Sequence, residues 1–404
     1  MSHHGLRASK MTIRIENAIT DAKITTPCLI IDREQVAKNY RQICHQMKDI
    51  DIFYAVKANP NPSILSLLTT KGAYFDCASF QEITLVIASG CPPSKISFGS
   101  TLKKSEDIAS AYKAGVRYFT FDAREELQKI ATNAPGSKVC CRILANDFGM
   151  GAQWPLSRKF GCDESMAVKL MSEAADLGLT PSGISFHVGS QQIEPAAWKK
   201  PIAKVGKIFR QMASLGIKLD TINLGGGFPT NFGDNLVPDI SCYARVIKTA
   251  LKTHFENEMP RVIAEPGRAL VGDAGVIVSE VILVSQKSLD DIERWVYLDV
   301  GRFHGLAETE KEAIRYRLTV PKRLKSRNTP AIIAGPTCDS VDTMYERNPV
   351  EMPVDLKAGD IVLVHDTGAY TYTYSSVGFN GLLPLQVCLV EDLSQQNFPK
   401  LRAV

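Results

Sequence analysis

The stretch Ile52-Phe53-Tyr54-Ala55-Val56-Lys57-Ala58-Asn59 sets a lysine at the end of a short apolar run. A large apolar triplet followed by small residues reads as a buried strand, so Lys57 falls at its C-terminal tip. A primary amine held there, partly desolvated by Tyr54 and Val56, can lose its proton and attack an aldehyde as a Schiff-base nucleophile. One such lysine is ordinarily a solvated strand end. Its meaning depends on the segments around it.

Working outward, apolar strand-like runs recur at 52–58, 73–77, 95–98, 118–121, 138–143, 183–188, 221–224 and 261–264. Between them lie helical stretches such as 165–177 and 203–215, with apolar residues three and four apart, as one core-facing stripe requires. Eight strands alternating with helices predict an α/β fold, a (β/α)8 TIM barrel, over residues 32–270. Lys57 then ends the first strand, Arg142 lies in the fifth and His187 ends the sixth. Gly225, Gly226 and Gly227 follow the seventh and Glu265 follows the eighth, which puts all of them at the C-terminal mouth, where barrel enzymes keep their active sites. After Ala269 the pattern changes: runs at 276–284, 295–298, 331–334, 360–364 and 385–390 read as strands with little helix between them. They predict a C-terminal all-β domain over 271–404.

Composition agrees with a globular protein of two domains: 404 residues, 45% hydrophobic and 22% charged. No apolar run approaches the roughly 20 residues of a membrane span. The net charge of +4 is scattered, and the short basic run at 321–327 reads as a solvated loop, so nucleic acid is not an expected partner. Ten cysteines without CxxC spacing predict free thiols and no metal site, and the segment Met1-Ser2-His3-His4-Gly5-Leu6-Arg7 lacks the apolar core of a secretory signal. A reducing cytoplasm is the expected location. Adjacent Cys140 and Cys141 point to opposite faces of a strand, a packing role.

Six segments in order carry a resemblance: Lys57-Ala58-Asn59, His187-Val188-Gly189-Ser190, Gly225-Gly226-Gly227-Phe228-Pro229, Glu265-Pro266-Gly267-Arg268, Gly335-Pro336-Thr337-Cys338-Asp339-Ser340 and Gly368-Ala369-Tyr370. With them the chain resembles the fold-type III pyridoxal-phosphate decarboxylases of ornithine, lysine, arginine and diaminopimelate, from about Pro27 to Pro384. Trp154-Pro155-Leu156-Ser157-Arg158-Lys159-Phe160-Gly161 and Gly305-Leu306-Ala307-Glu308-Thr309 bring it nearest to the bacterial ornithine/lysine decarboxylases. The resemblance implies pyridoxal 5'-phosphate as cofactor. It also implies an alanine-racemase-like barrel whose companion β domain takes up strand residues from 1–31.

Loss of carbon dioxide from an amino acid leaves a carbanion at Cα that needs a cationic ring as electron sink. Glu265 is the carboxylate expected to keep the ring nitrogen protonated, since an opposite charge nearby favours the charged form. Three glycines without side chains let successive backbone N–H groups approach a phosphate. By resemblance His187 stacks on the ring, Ser190, Gly267, Arg268 and Tyr370 complete the phosphate cup, and Arg142 contacts the ring hydroxyl side. Asp76 and Glu82 lie close behind, with ordinary structural roles an equal alternative for both. The resemblance also implies a homodimer in which Cys338 and Asp339 reach the partner's barrel, Cys338 returning a proton to Cα and Asp339 binding the substrate's distal ammonium.

Diaminopimelate decarboxylases generally carry a glutamate after this cysteine and an Arg-Pro segment for the second carboxylate. Here Asp339 follows Cys338, and Asp299-Val300-Gly301-Arg302-Phe303-His304-Gly305-Leu306 stands where that segment is expected. L-Ornithine or L-lysine is therefore the expected substrate, giving putrescine or cadaverine in polyamine biosynthesis. The substrate-side element is expected among Glu308, Glu310 and Glu312, with Tyr370 at its border. Arg302 and His304 leave open a modified substrate of a specialised pathway. Two further alternatives are a racemase, for which the Cys-Asp pair has no use, and a silent regulatory homologue, against which the intact Lys57, His187, Glu265, Arg268, Cys338 and Asp339 argue.

Overall fold

The computed structural model describes residues 24–145, 152–154, 159–233, 237–256, 258–321 and 326–394. Residues 155–158 of the tryptophan-led motif, 322–325 of the basic run and 1–23 of the N-terminal segment lie outside the described residues. The chain divides into two compact units, Ala37–Val271 and a second that joins residues up to Val36 with those from Gly272 onward. In chain order the strands are β1 (Cys28–Ile31), β2 (Asp51–Ala55), β3 (Tyr74–Cys77), β4 (Ile96–Phe98), β5 (Tyr118–Phe121), β6 (Lys138–Arg142), β7 (Ala152–Trp154), β8 (Thr180–Ser185), β9 (Ser190–Gln192), β10 (Thr221–Asn223) and β11 (Arg261–Ala264). They continue with β12 (Gly275–Ser285), β13 (Arg294–Leu298), β14 (Leu318–Thr319), β15 (Asn328–Ala334), β16 (Thr343–Met344), β17 (Val350–Pro353), β18 (Ile361–His365) and β19 (Gln386–Leu389).

In the first unit β2, β3, β4, β5, β6, β8, β10 and β11 form a closed parallel barrel, the fold predicted from the alternation. Closure runs through Ile263 and Ala264 of β11, paired with Asp51 and Ile52 of β2. Helices cover the outside, so each strand is buried on both faces and reads as a continuous apolar run. Tyr54, Phe75, Phe98, Phe119 and Phe121 are fully buried in these strands. Helix Glu164–Asp176 buries Ala167, Leu170, Met171 and Ala174 on one stripe, and Asp163 caps it by accepting from the Met166 N–H at 2.8 Å. Helix Lys199–Ser214 begins four residues earlier than its apolar stripe suggests, because a 3-10 turn at Pro195–Trp198 runs straight into it.

The second unit is a nine-stranded sheet in the order β14-β18-β12-β13-β15-β16, with β1 and β19 joined through β12 and β17 on β15. Its spine is the eleven-residue β12, which pairs with β1 through Cys28 and Val278 and with β18 through Val276 and His365. A bulge between Val281 and Leu283 turns the rest of β12 onto β13. Cys28, Ile30, Val276, Val278, Leu363 and Val390 form one buried cluster, so a strand from before the barrel shares a core with strands after it. The two-residue strands β14 and β16 are too short to show a period of two, which is why sequence pattern does not reveal them.

Candidate active site

Lys57 sits in a single 3-10 turn, Val56–Ala58, directly after β2, rather than in the strand itself. The buried Tyr54 hydroxyl donates to the Asn59 carbonyl at 2.8 Å and pins that turn. The Lys57 side chain is 45% exposed and its Nζ reaches Asp76 Oδ2 at 3.5 Å. Asp76 is buried, and its other oxygen accepts from the Ser97 hydroxyl at 3.0 Å. A Cβ on Gly99 would fall 1.9 Å from Asp76 Oδ1, so only glycine leaves that carboxylate its place. Glu82 accepts from the Ala78 N–H at 2.7 Å while Ser79 caps the helix Phe80–Ala88; burial pushes the Glu82 carboxyl up. This is a helix-start role.

His187 lies two residues past β8, and its Nδ1 accepts from the Gly189 N–H at 3.0 Å. A ring nitrogen that accepts carries no proton, so a neutral ring has its hydrogen on Nε2. Burial, with the cations Arg142 and Lys57, holds His187 well below its ordinary range. A Cβ on Gly226 would stand 3.1 Å from that Nε2 and 2.7 Å from the Glu265 carbonyl oxygen. Gly225 and Gly227 have φ of +64° and +98°, and a Cβ on them would meet the Phe186 and Gly189 carbonyls at 2.1 and 2.4 Å. The glycines thus pack backbone to backbone against the turns bearing His187 and Glu265. Beside them Arg268 is buried and donates from Nη2 to the Ser190 hydroxyl at 3.3 Å. Gln191, at φ +52°, ties this turn to the glycine loop by donating to the Thr230 carbonyl at 2.6 Å and accepting from its N–H at 3.1 Å.

On the adjoining strand end, Glu265 Oε1 accepts from the Asn223 amide at 2.5 Å. Burial and then Asp76 push its carboxyl up to about 7, opposed by Lys57, Asn223 and Arg142. The Arg142 guanidinium lies 5.1 Å from the Phe160 ring centre, and burial lowers its proton affinity. Gly267 follows, buried, and its carbonyl accepts from the Leu270 N–H at 3.0 Å. The barrel unit therefore collects Lys57, Asp76, Arg142, His187, Ser190, the three glycines, Glu265, Gly267 and Arg268. Sequence reading missed Ser97, Gly99, Gln191 and Asn223; only Asn223, two residues before Gly225, carries a local signal, the tendency of Asn to receive a backbone N–H two residues on.

The β unit holds the remaining predicted residues. Cys338 is exposed on the loop after β15, and its N–H donates to Asn380 Oδ1 at 3.0 Å. Asp339 accepts from the Val341 N–H at 2.9 Å. Tyr370 takes a left-handed φ of +55° and its ring lies 6.4 Å from that of Tyr374. Glu308 is buried, and Glu310 pairs with Arg302. Glu312 accepts from the Arg347 N–H, the Asn348 N–H, the Asn348 amide and Arg315, at 2.7 to 3.1 Å. A cleft of about 370 Å³ is lined by Arg302, Phe303, Ala307, Val341 and Thr373 to Ser376.

The family model for the pyridoxal-binding domain of pyridoxal-dependent decarboxylases matches residues 33–272. The chain belongs to this family. The decarboxylase is 32% identical to a lysine/ornithine decarboxylase of Selenomonas ruminantium over 92% of this chain and 91% of that one. A crystal structure of lysine decarboxylase from the same organism superposes with a TM-score of 0.84 at 31% identity, covering 96% of this chain and 97% of that chain. A lysine/ornithine decarboxylase from Vibrio vulnificus, solved with cadaverine, gives 0.83 at 28% identity, covering 94% and 99%.

The residues present fit pyridoxal 5'-phosphate, the decarboxylase's cofactor. A buried arginine donating to a serine hydroxyl, beside a turn of three glycines, suits a phosphate dianion. When bound, the cofactor would supply an aldehyde, for which Lys57 is the candidate amine, and a cationic ring as sink for the electrons left at Cα. Asp76 holds the Lys57 head, and neutral His187 offers a flat face and no competing charge.

Proposed function

We propose that this decarboxylase acts on L-ornithine or L-lysine, releasing carbon dioxide and putrescine or cadaverine for polyamine biosynthesis, as a cytoplasmic homodimer whose sites are shared between chains. One observation carries the choice of a substrate with a single carboxylate. Arg302, the cation on the segment where diaminopimelate enzymes grip a second carboxylate, has its guanidinium committed to Glu310 and to the Val341 carbonyl at 2.8 Å. Asp339, exposed, and the buried Glu308 supply negative charge suited to a distal ammonium. Glu312 is occupied by the 347–348 turn, which leaves it a structural role. The names of the Selenomonas and Vibrio relatives support the same pair of substrates.

The shared site is supported by the surroundings of Cys338. Val341, Tyr374, Val377, Phe379 and Leu383 are all exposed, with Val377 at 86%, and the loop that carries the last three also bears Asn380, which holds the Cys338 backbone. An apolar rim around an exposed thiol suits cover by a second copy of the chain. Carbon dioxide release measured on ornithine, lysine, arginine and diaminopimelate tests the substrate. Turnover concentrated on ornithine and lysine is expected, and a preference for diaminopimelate or arginine would overturn the reading.

A further inference from the structure

Asp342 lies four residues past Cys338 and is 2% exposed. A carboxylate taken out of water is costly unless its oxygens are fully hydrogen-bonded, and here they are. Oδ1 accepts from the Arg302 N–H at 2.7 Å, and Oδ2 accepts from the Thr337 hydroxyl at 2.7 Å and the Thr337 N–H at 3.2 Å. Its backbone grips the same loop: the Asp342 carbonyl accepts from the Gly335 N–H at 2.8 Å and its N–H donates to the Asp339 carbonyl at 3.0 Å. One residue thus holds the loop on both sides of Cys338. Room for it is made on two sides, since a Cβ on Gly301 or Gly335 would stand 2.2 or 2.3 Å from its oxygens. Arg302 adds a return contact from Nη1 to the Val341 carbonyl at 2.8 Å.

We infer that Asp342 is a positioning residue that holds the 335–341 loop in the one conformation from which the Cys338 thiol returns a proton to Cα, and so sets the fidelity of the product. The inference rests on the proposed role of Cys338. A proton delivered to Cα gives the amine and regenerates the pyridoxal form. Delivered instead to the cofactor's own aldehyde-derived carbon, it leaves, after addition of one water, an aldehyde and the aminated cofactor, the substrate carbon oxidised and the cofactor reduced by the same electron pair.

The experiment compares Asp342→Asn, Thr337→Val and Cys338→Ala with wild type, using ornithine and lysine as probes. Amine and aldehyde are quantified per carbon dioxide released, and deuterium exchange of the 301–302 and 335–342 amides is followed in cofactor-free protein. Asp342→Asn should raise the aldehyde fraction by roughly tenfold, the scale of losing one charge-assisted set of hydrogen bonds, and should quicken that exchange. Thr337→Val, which keeps the shape and removes one donor, should move both readouts the same way by less, and it stands in if Asp342→Asn does not fold. A wild-type partition in Asp342→Asn beside a raised aldehyde fraction in Cys338→Ala overturns the clamp alone. A wild-type partition in Cys338→Ala overturns the thiol's role, and the inference with it.

Discussion

The side-chain amide of Asn223 donates to Glu265 Oε1 at 2.5 Å while its own oxygen accepts from the Gly225 N–H at 2.9 Å. The second bond fixes which way the amide faces, because only its nitrogen is left to meet the carboxylate. One planar group therefore couples the glycine turn to the acid that follows the neighbouring strand. A change at either end reaches the other through it.

Glu265→Gln should leave the cofactor bound and slow decarboxylation by orders of magnitude, since one lost preorganised charge costs roughly 3 kcal/mol or more. Near-normal turnover would refute the role. The same group shapes the stability of cofactor-free protein. With its pKa raised from 4.5 to about 7, the folded chain holds a proton that the unfolded chain releases. The resulting stabilisation is present below pH 4.5 and lost as pH rises through about 7, in total up to roughly 3 kcal/mol. Unfolding midpoints of wild type minus Glu265→Gln, measured from pH 4.5 to 8, should fall over that window, and a flat difference would contradict the burial account.

Lys57→Ala should abolish the long-wavelength absorbance of bound cofactor and nearly all turnover, because no other amine stands at that turn. Spectra and single-turnover assays decide it. A variant that keeps both would show that Lys57 is only an exposed neighbour of Asp76.

Lys57→Ala, which is inactive, and Cys338→Ala, which releases carbon dioxide but forms less amine, should complement in amine formation when mixed if a site takes Lys57 from one chain and Cys338 from the other. Random exchange makes about half the dimers mixed, each with one intact site, so amine formation should recover toward roughly a quarter of wild type. The rate of amine formation after co-expression, with exchange verified by differential tags, is the measurement. Verified mixed dimers no better than the parents would show that each chain builds its own site.

Glu312→Gln should lower the thermal midpoint and leave KM within about twofold, because its four donors come from Arg315 and the 347–348 turn. A large rise in KM at unchanged stability would instead make Glu312 a substrate contact.

The sequence alone determined the barrel and the ring of residues at its mouth. A parallel strand buried on both faces writes itself as an unbroken apolar run, and a closed parallel barrel brings every strand's C-terminal end to one face, so residues after the runs must converge there. That logic places Lys57, His187, the glycines and Glu265 without any knowledge of their contacts. What the tertiary structure decided are the pairs that support them. Ser97 meets Asp76 because β3 and β4 register those two residues side by side, and Gly99 is required by the same alignment. Asp342 finds Gly301, Arg302 and Gly335 only because β13 and β15 run parallel and bring the loops after them together. The separation of Glu312, held by its own turn, from Glu310, paired with Arg302, follows from left-handed backbone at Lys311 and Glu312. Periods of 2 and 3.6 are local and repeat along the chain, whereas register and loop closure join residues tens of positions apart and leave no periodic trace.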